Sequence, residues 1–141
     1  MSGRLPFVAR HKYAHMVAEE ATVWDRFIEK FPGRFDSVDY DFRVGGGQTE
    51  LPFEEENYVR MAKMLSQMRI DALCWNGEQP TIIEVKDRAV LSAIGQLQGY
   101  KILFEQNLEY FLSPAMLMVC STITRDVESV FAEMKIPVEV V

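Results

Sequence analysis

Between Tyr13 and Phe31 apolar residues recur every three or four positions. Tyr13, Val17, Ala21, Trp24, Phe27, Ile28 and Phe31 form one stripe of a helix over about 13–30, and Pro32-Gly33 ends it. The period then drops to two. Val38, Tyr40, Phe42 and Val44 alternate with Asp39, Asp41 and Arg43, which predicts a half-buried strand broken by Gly45-Gly46-Gly47. A helix is expected over 54–66, with Tyr58, Met61 and Leu65 on one side. Two strands follow, RIDALCW at about 69–75 and TIIEVK at about 81–86, with Asn76-Gly77 the strongest turn signal between them. Val90, Ile94, Leu97, Ile102 and Phe104 mark a helix over 90–107. AMLMVC at 115–120 reads as a buried strand, 125–134 as a helix capped by Thr124, and IPVEVV as a closing strand. The order α-β-α-β-β-α-β-α-β predicts an α/β fold, a three-layer sandwich with a mixed central sheet flanked by helices.

No repeat or linker divides the 141 residues, so one domain is expected over 1–141, with 1–12 as a basic N-terminal arm. No apolar run reaches the ~20 residues of a membrane helix. The first fifteen residues lack the continuous apolar stretch of a secretion signal. Cys74 and Cys120 lie in apolar runs and read as reduced core residues of a cytoplasmic protein. The net charge of −6 speaks against a protein whose main task is gripping duplex nucleic acid non-specifically, because that affinity comes from Lys and Arg on phosphates. It leaves room for an enzyme that gathers carboxylates around a metal. The charge is also uneven: residues 1–18 hold Arg4, Arg10 and Lys12 and no acid, whereas ELPFEEE at 50–56 holds four acids and no base.

Three charged residues stand where strands place apolar ones. Asp71 lies between Ile70 and Ala72, and Glu84 and Lys86 flank Val85. Alternation sets Glu84 and Lys86 on one face of their strand and Ile83 and Val85 on the other. A four-residue loop at 76–79 would pair Trp75 with Pro80, Cys74 with Thr81 and Asp71 with Glu84, so the two carboxylates can meet. At 4 Å such a pair repels by roughly 4 kcal/mol in a partly screened site. A divalent cation relieves this, and hard oxygen ligands suit magnesium or manganese. Lys86 on the same face can orient a water, which is equipment for phosphodiester hydrolysis. Glu20 falls on the apolar stripe of the first helix and needs a partner, either the metal cluster or Lys86.

Asp71, twelve intervening residues and Glu84-Val85-Lys86 resemble the D…(D/E)-x-K signature of the PD-(D/E)XK nuclease superfamily. Gln96-Leu97-Gln98-Gly99-Tyr100 is similar to the Q-x3-Y motif of its RecB-like exonuclease branch, and IIEVKDRAVLSAIGQLQGYKILFEQ looks like short phage-encoded members. Arg69-Ile70-Asp71 lacks the proline that gives the motif its first letter. The resemblance implies a restriction-endonuclease-like core and magnesium or manganese held by Asp71, Glu84 and the Val85 carbonyl, with Glu20 as a further acid. It also implies Lys86 as the residue that positions the nucleophile, with Gln96 and Tyr100 facing the site.

Two functions of different class follow. One is a magnesium-dependent nuclease acting on DNA. The other is a non-catalytic structural or adaptor component, such as one of a phage virion, that keeps the nuclease fold and packs against partner chains or copies of itself. The acidic charge and the small size fit the second; the assembled D…E-x-K set fits the first. His11 and His15 at one-turn spacing form a conceivable ligand pair, although such residues are more often part of a solvated arm. The methionines of RMAKMLSQM and AMLMVC read as packing.

Overall fold

The computed structural model describes residues 3–46, 67–107 and 112–141. Its six strands form one sheet in sequential order: β1 (Leu5–Pro6), β2 (Ser37–Val44), β3 (Met68–Asn76), β4 (Gln79–Arg88), β5 (Ala115–Thr122) and β6 (Val138–Val140). Pairing is antiparallel from β1 to β4 and parallel from β4 to β6. The parallel pairs are joined by helices, as parallel connections require: α2 (Ser92–Asn107) and α3 (Arg125–Glu133). α1 (Ala18–Lys30) buries Val23, Trp24, Phe27 and Ile28 against one face of the sheet. Leu97 and Phe104 of α2 and Phe131 of α3 pack on the other. The result is the expected three-layer sandwich around a mixed sheet. The helix expected over 54–66 lies outside the described residues.

Most elements match the periodicity, and the differences have local causes. The helix expected from residue 13 starts at Ala18, because His15 adopts φ +59 and Val17 is extended. Tyr13 is buried all the same, its hydroxyl accepting from Arg10 N–H and donating to Asp25. The expected four-residue loop is a two-residue turn, Gly77-Glu78, since Asn76 pairs with Gln79; Gly77 at φ +58 supplies the conformation. The register is unchanged, with Trp75 opposite Pro80 and Cys74 opposite Thr81. Thr124 caps α3, accepting from Val127 N–H at 3.4 Å. The N-terminal arm is not loose: its residues Leu5 and Pro6 form the edge strand β1 against Val38 and Ser37.

One departure decides where the site sits. Strict alternation would put Val38, Tyr40, Phe42 and Val44 on one face. Val38 and Tyr40 do pack on the α1 side, but Phe42 and Val44 pack on the α2 side. The face changes at Asp41, whose φ is +53. The neighbouring strand does the same: Ala72 and Cys74 face α1, whereas Ile70 faces α2. The β2–β3 register steps from Tyr40–Ala72 to Phe42–Ile70, over Asp41 and Asp71. Both strands therefore change face at the same rung.

Candidate active site

At this rung β3 parts from β4. Their ladder runs from Asn76–Gln79 to Ala72–Ile83 and stops one position short of Asp71. Asp71 and Glu84 are thus not a paired rung, as the hairpin alone would make them. Asp71 instead turns its carboxylate across the gap, where Oδ2 accepts from Val85 N–H at 3.1 Å. There it also shares a hydrogen bond with the Glu84 carboxyl. β4 supplies Glu84 between Ile83 and Val85, which are fully buried on the α1 side and fix the strand.

Glu84 is 2% exposed, and its Oε2 has no hydrogen-bond partner. Its Oε1 lies 3.6 Å from Lys86 Nζ. Lys86 Nζ also donates to Glu20 Oε2 at 3.2 Å. Glu20 is held in turn by the start of α1, where Oε1 accepts from Val17 N–H. Of the two partners open to Glu20, Lys86 is the one it contacts. On the α2 side, Gln96 hydrogen-bonds the Tyr100 hydroxyl, which feels the charges of Glu84 and Asp71. The structure therefore brings Asp71, Glu84, Lys86, Glu20, Gln96 and Tyr100 around one gap in the sheet. Val85 contributes its backbone to the same gap.

Burial sets the electrostatics. It raises the pKa of Glu84 to about 9, with repulsion from Asp71 the next cause. Burial also raises Asp71, against the lowering effect of the Val85 N–H. The pair shares a proton in place of a second charge. For Lys86 burial acts to lower the pKa, but Glu84 and Glu20 outweigh it and the net shift is upward, so Lys86 is a firm cation. Burial, then the charges of Glu84 and Asp71, lifts Tyr100 to about 12; it is a neutral donor.

The donor set suits a hard divalent cation. Two carboxylates meet away from water, and Glu84 Oε2 is buried without a partner. Among the described residues no group of three His, Cys, Asp or Glu side chains converges at ligating distance. The protein groups available are thus the Asp71–Glu84 pair and the adjoining Val85 peptide, with Glu20 engaged by Lys86. His11 and His15 do not form a helical pair, since α1 begins after both.

The sequence pattern did not mark a second polar cluster beside this site. Asp41 Oδ2 lies 3.1 Å from His15 Nε2 and 3.6 Å from Arg69 Nη1. Asp41 Oδ1 is buried without a partner. The available signal was Arg69, two residues before Asp71 in a strand otherwise rich in apolar residues.

Two solved nucleases have this architecture. The chain is similar over 94% of its length to a repair endonuclease from Pyrococcus abyssi, with a TM-score of 0.53 and 15% identity. It is similar over the same share to EndoMS in a complex with double-stranded DNA, with a TM-score of 0.50 and 13% identity. In both cases it spans 49% of the solved chain, about half its length. No protein-family model and no curated protein matches the sequence. The shared feature is the fold, a mixed six-strand sheet with helices packed on it. The likeness does not distinguish the RecB-like branch.

Proposed function

We propose that this chain is a metal-dependent nuclease that hydrolyses DNA phosphodiester bonds. The observation that carries the reading is the buried Asp71–Glu84 pair with its unpartnered oxygen and Lys86 at 3.6 Å. Asp71, Glu84 and the Val85 carbonyl would hold magnesium or manganese. When bound, the cation supplies positive charge against the phosphate and its developing negative charge. Lys86 carries a fixed charge and three donors, enough to hold a water or a phosphate oxygen in line with the scissile bond. Glu20 positions Lys86 by holding its ammonium from the α1 side. Tyr100 and Gln96 donate from the α2 side to a phosphate oxygen, and their hydrogen-bonded arrangement supports the RecB-like reading.

DNA as the substrate class is supported by the fold shared with two nucleases, one of them solved with double-stranded DNA. Two buried free cysteines suit a reducing compartment such as the cytoplasm. Among the described residues no helix is long and apolar enough to cross a membrane. The intact cluster of carboxylates and lysine favours the enzyme over a structural component, in which nothing would maintain a buried pair of acids.

The test is cleavage of single- and double-stranded DNA with magnesium or manganese. Asp71→Asn and Glu84→Gln should each abolish it. Lys86→Ala should lower kcat far more than it raises KM, since its contribution is to the reacting geometry. Equal cleavage by wild type and both acid variants would remove this reading.

A further inference from the structure

Among the described residues, the stretch 3–17 carries Arg4, Arg10, His11, Lys12 and His15 and no acid. The fold pins this stretch to the sheet at several points. β1 pairs with β2, Gly3 N–H donates to Ser37 Oγ at 3.0 Å, and Phe7 is buried against α1. The Arg10 N–H donates to Tyr13 Oη, so the backbone that carries Arg10 is fixed as well. Arg4, Arg10 and Lys12 then wall a pocket of about 360 Å³, with Leu5, Ala14 and, from β2, Asp39 and Tyr40 completing the lining.

The charge in this pocket is unbalanced. Asp39 is buried, and its oxygens accept from Arg4 N–H, Arg4 Nε and Trp75 Nε1, so it neutralises Arg4 and no more. Among the described residues Arg10 and Lys12 form no ion pair, and both are exposed. The pocket also connects to the carboxylate site. Tyr40, in its lining, precedes Asp41; Asp41 holds His15 and Arg69; Arg69 lies two residues before Asp71. His15 and Asp41 both take left-handed backbone angles to make this contact, an unusual choice for residues other than glycine. A line of basic residues, with His15 and Arg69 gathered on Asp41, thus runs from the sheet edge to the candidate active site on a chain whose net charge is negative.

We infer that the pocket walled by Arg4, Arg10 and Lys12 is a second anion site, which takes a phosphate of the DNA strand being cleaved, with Arg69 and His15 lining the path to the scissile bond. This rests on the nuclease reading for the identity of the strand. Phosphate is the matching chemistry because exposed, unpaired Arg and Lys on a fixed backbone gain from a polyanion through counterion release. It also answers the objection from net charge: the acidic total hides a local basic track.

The experiment is fluorescence anisotropy of labelled oligonucleotides, single- and double-stranded, with and without a 5′-phosphate, in EDTA so that binding is read without cleavage. Wild type is compared with the Arg10→Ala/Lys12→Ala double variant, whose changes lie on the surface and should leave the melting temperature in place. The variant should bind about tenfold more weakly at 0.1 M salt, and the slope of log K against log salt should shrink by about 1.5, the loss of two phosphate contacts. A loss confined to 5′-phosphorylated strands assigns the pocket to a terminal phosphate; an equal loss on all strands assigns it to internal phosphodiesters. Affinity and salt slope unchanged in the variant, or no binding by wild type at low salt, would overturn the inference, even for a protein that cleaves DNA. Weakened binding by the variant of a protein that cleaves nothing with manganese keeps the anion site and removes the nuclease reading.

Discussion

Glu84 has almost no access to water, and a second carboxyl group, Asp71, acts on it. Its pKa, raised from 4.5 to about 9, therefore makes stability depend on pH when no metal is present. The folded protein keeps a proton that the unfolded chain has released above 4.5. Stability is full below that value and falls as pH rises through about 9. Each unit of raised pKa that is realised corresponds to about 1.4 kcal/mol. In EDTA the melting temperature should decline between pH 6 and pH 9, and Glu84→Gln should flatten the decline. At a pH where Glu84 ionises, Asp71→Asn should raise the metal-free melting temperature slightly by relieving repulsion. Manganese at a hundredfold excess over Kd should add about 2.7 kcal/mol to wild type and little to Asp71→Asn. Equal manganese shifts in the two proteins would exclude these carboxylates as the ligands.

The elements were legible where the chain keeps its period and obscure where it breaks it. β3 and β4 were readable because each holds a short apolar run, Ala72–Trp75 and Ile82-Ile83, and Asn76-Gly77 marks the turn between them. That the site acids lie close to one another was readable from the same register. The gap that lets them meet was not, because it depends on Asp41 and Asp71 changing the face of two adjacent strands at one rung. In the sequence, Asp41 looks like one more polar residue between Tyr40 and Phe42. Only its backbone angle separates it, and Asp is among the few residues that accept that angle. β1 was hidden for another reason: two residues, one of them proline, carry no periodic signal. The backbone claim can be isolated by two substitutions that both remove the carboxylate. Asp41→Ala should be less stable than Asp41→Gly by about 1 kcal/mol in urea melts, because only glycine adopts positive φ without steric cost. If Asp41→Ala proves as stable as Asp41→Gly, the strained angle is not what sets the rung.

For the molecule as a whole, the N-terminal segment closes the α1 side of the core. Phe7 meets Trp24, Phe27 and Phe35 edge-on, with ring centroids 5.9, 6.0 and 5.4 Å apart. Phe7→Ala should cost about 3 kcal/mol by leaving a cavity among these rings, measured as a lower urea midpoint. A change under ~0.5 kcal/mol, within the usual range for surface substitutions, would mean the segment lies on the domain without holding it. The sheet's mixed topology has a different kind of consequence. Asp71, Glu84 and Lys86 all belong to the β3–β4 hairpin, which closes through a two-residue turn, whereas β5 and β6 join only after helical crossovers. Hairpin contacts are local and carry the smallest loop-closure penalty in the sheet. The two like-charged carboxylates, Asp71 and Glu84, are therefore brought together early in folding, before the parallel half has assembled, and their repulsion weighs on the barrier itself. A cation that relieves it acts on the route to the native state as well as on its endpoint. In stopped-flow chevrons manganese should raise the whole folding arm, with its slope unchanged. A shift confined to the unfolding arm would place closure of this hairpin after the rate-limiting step.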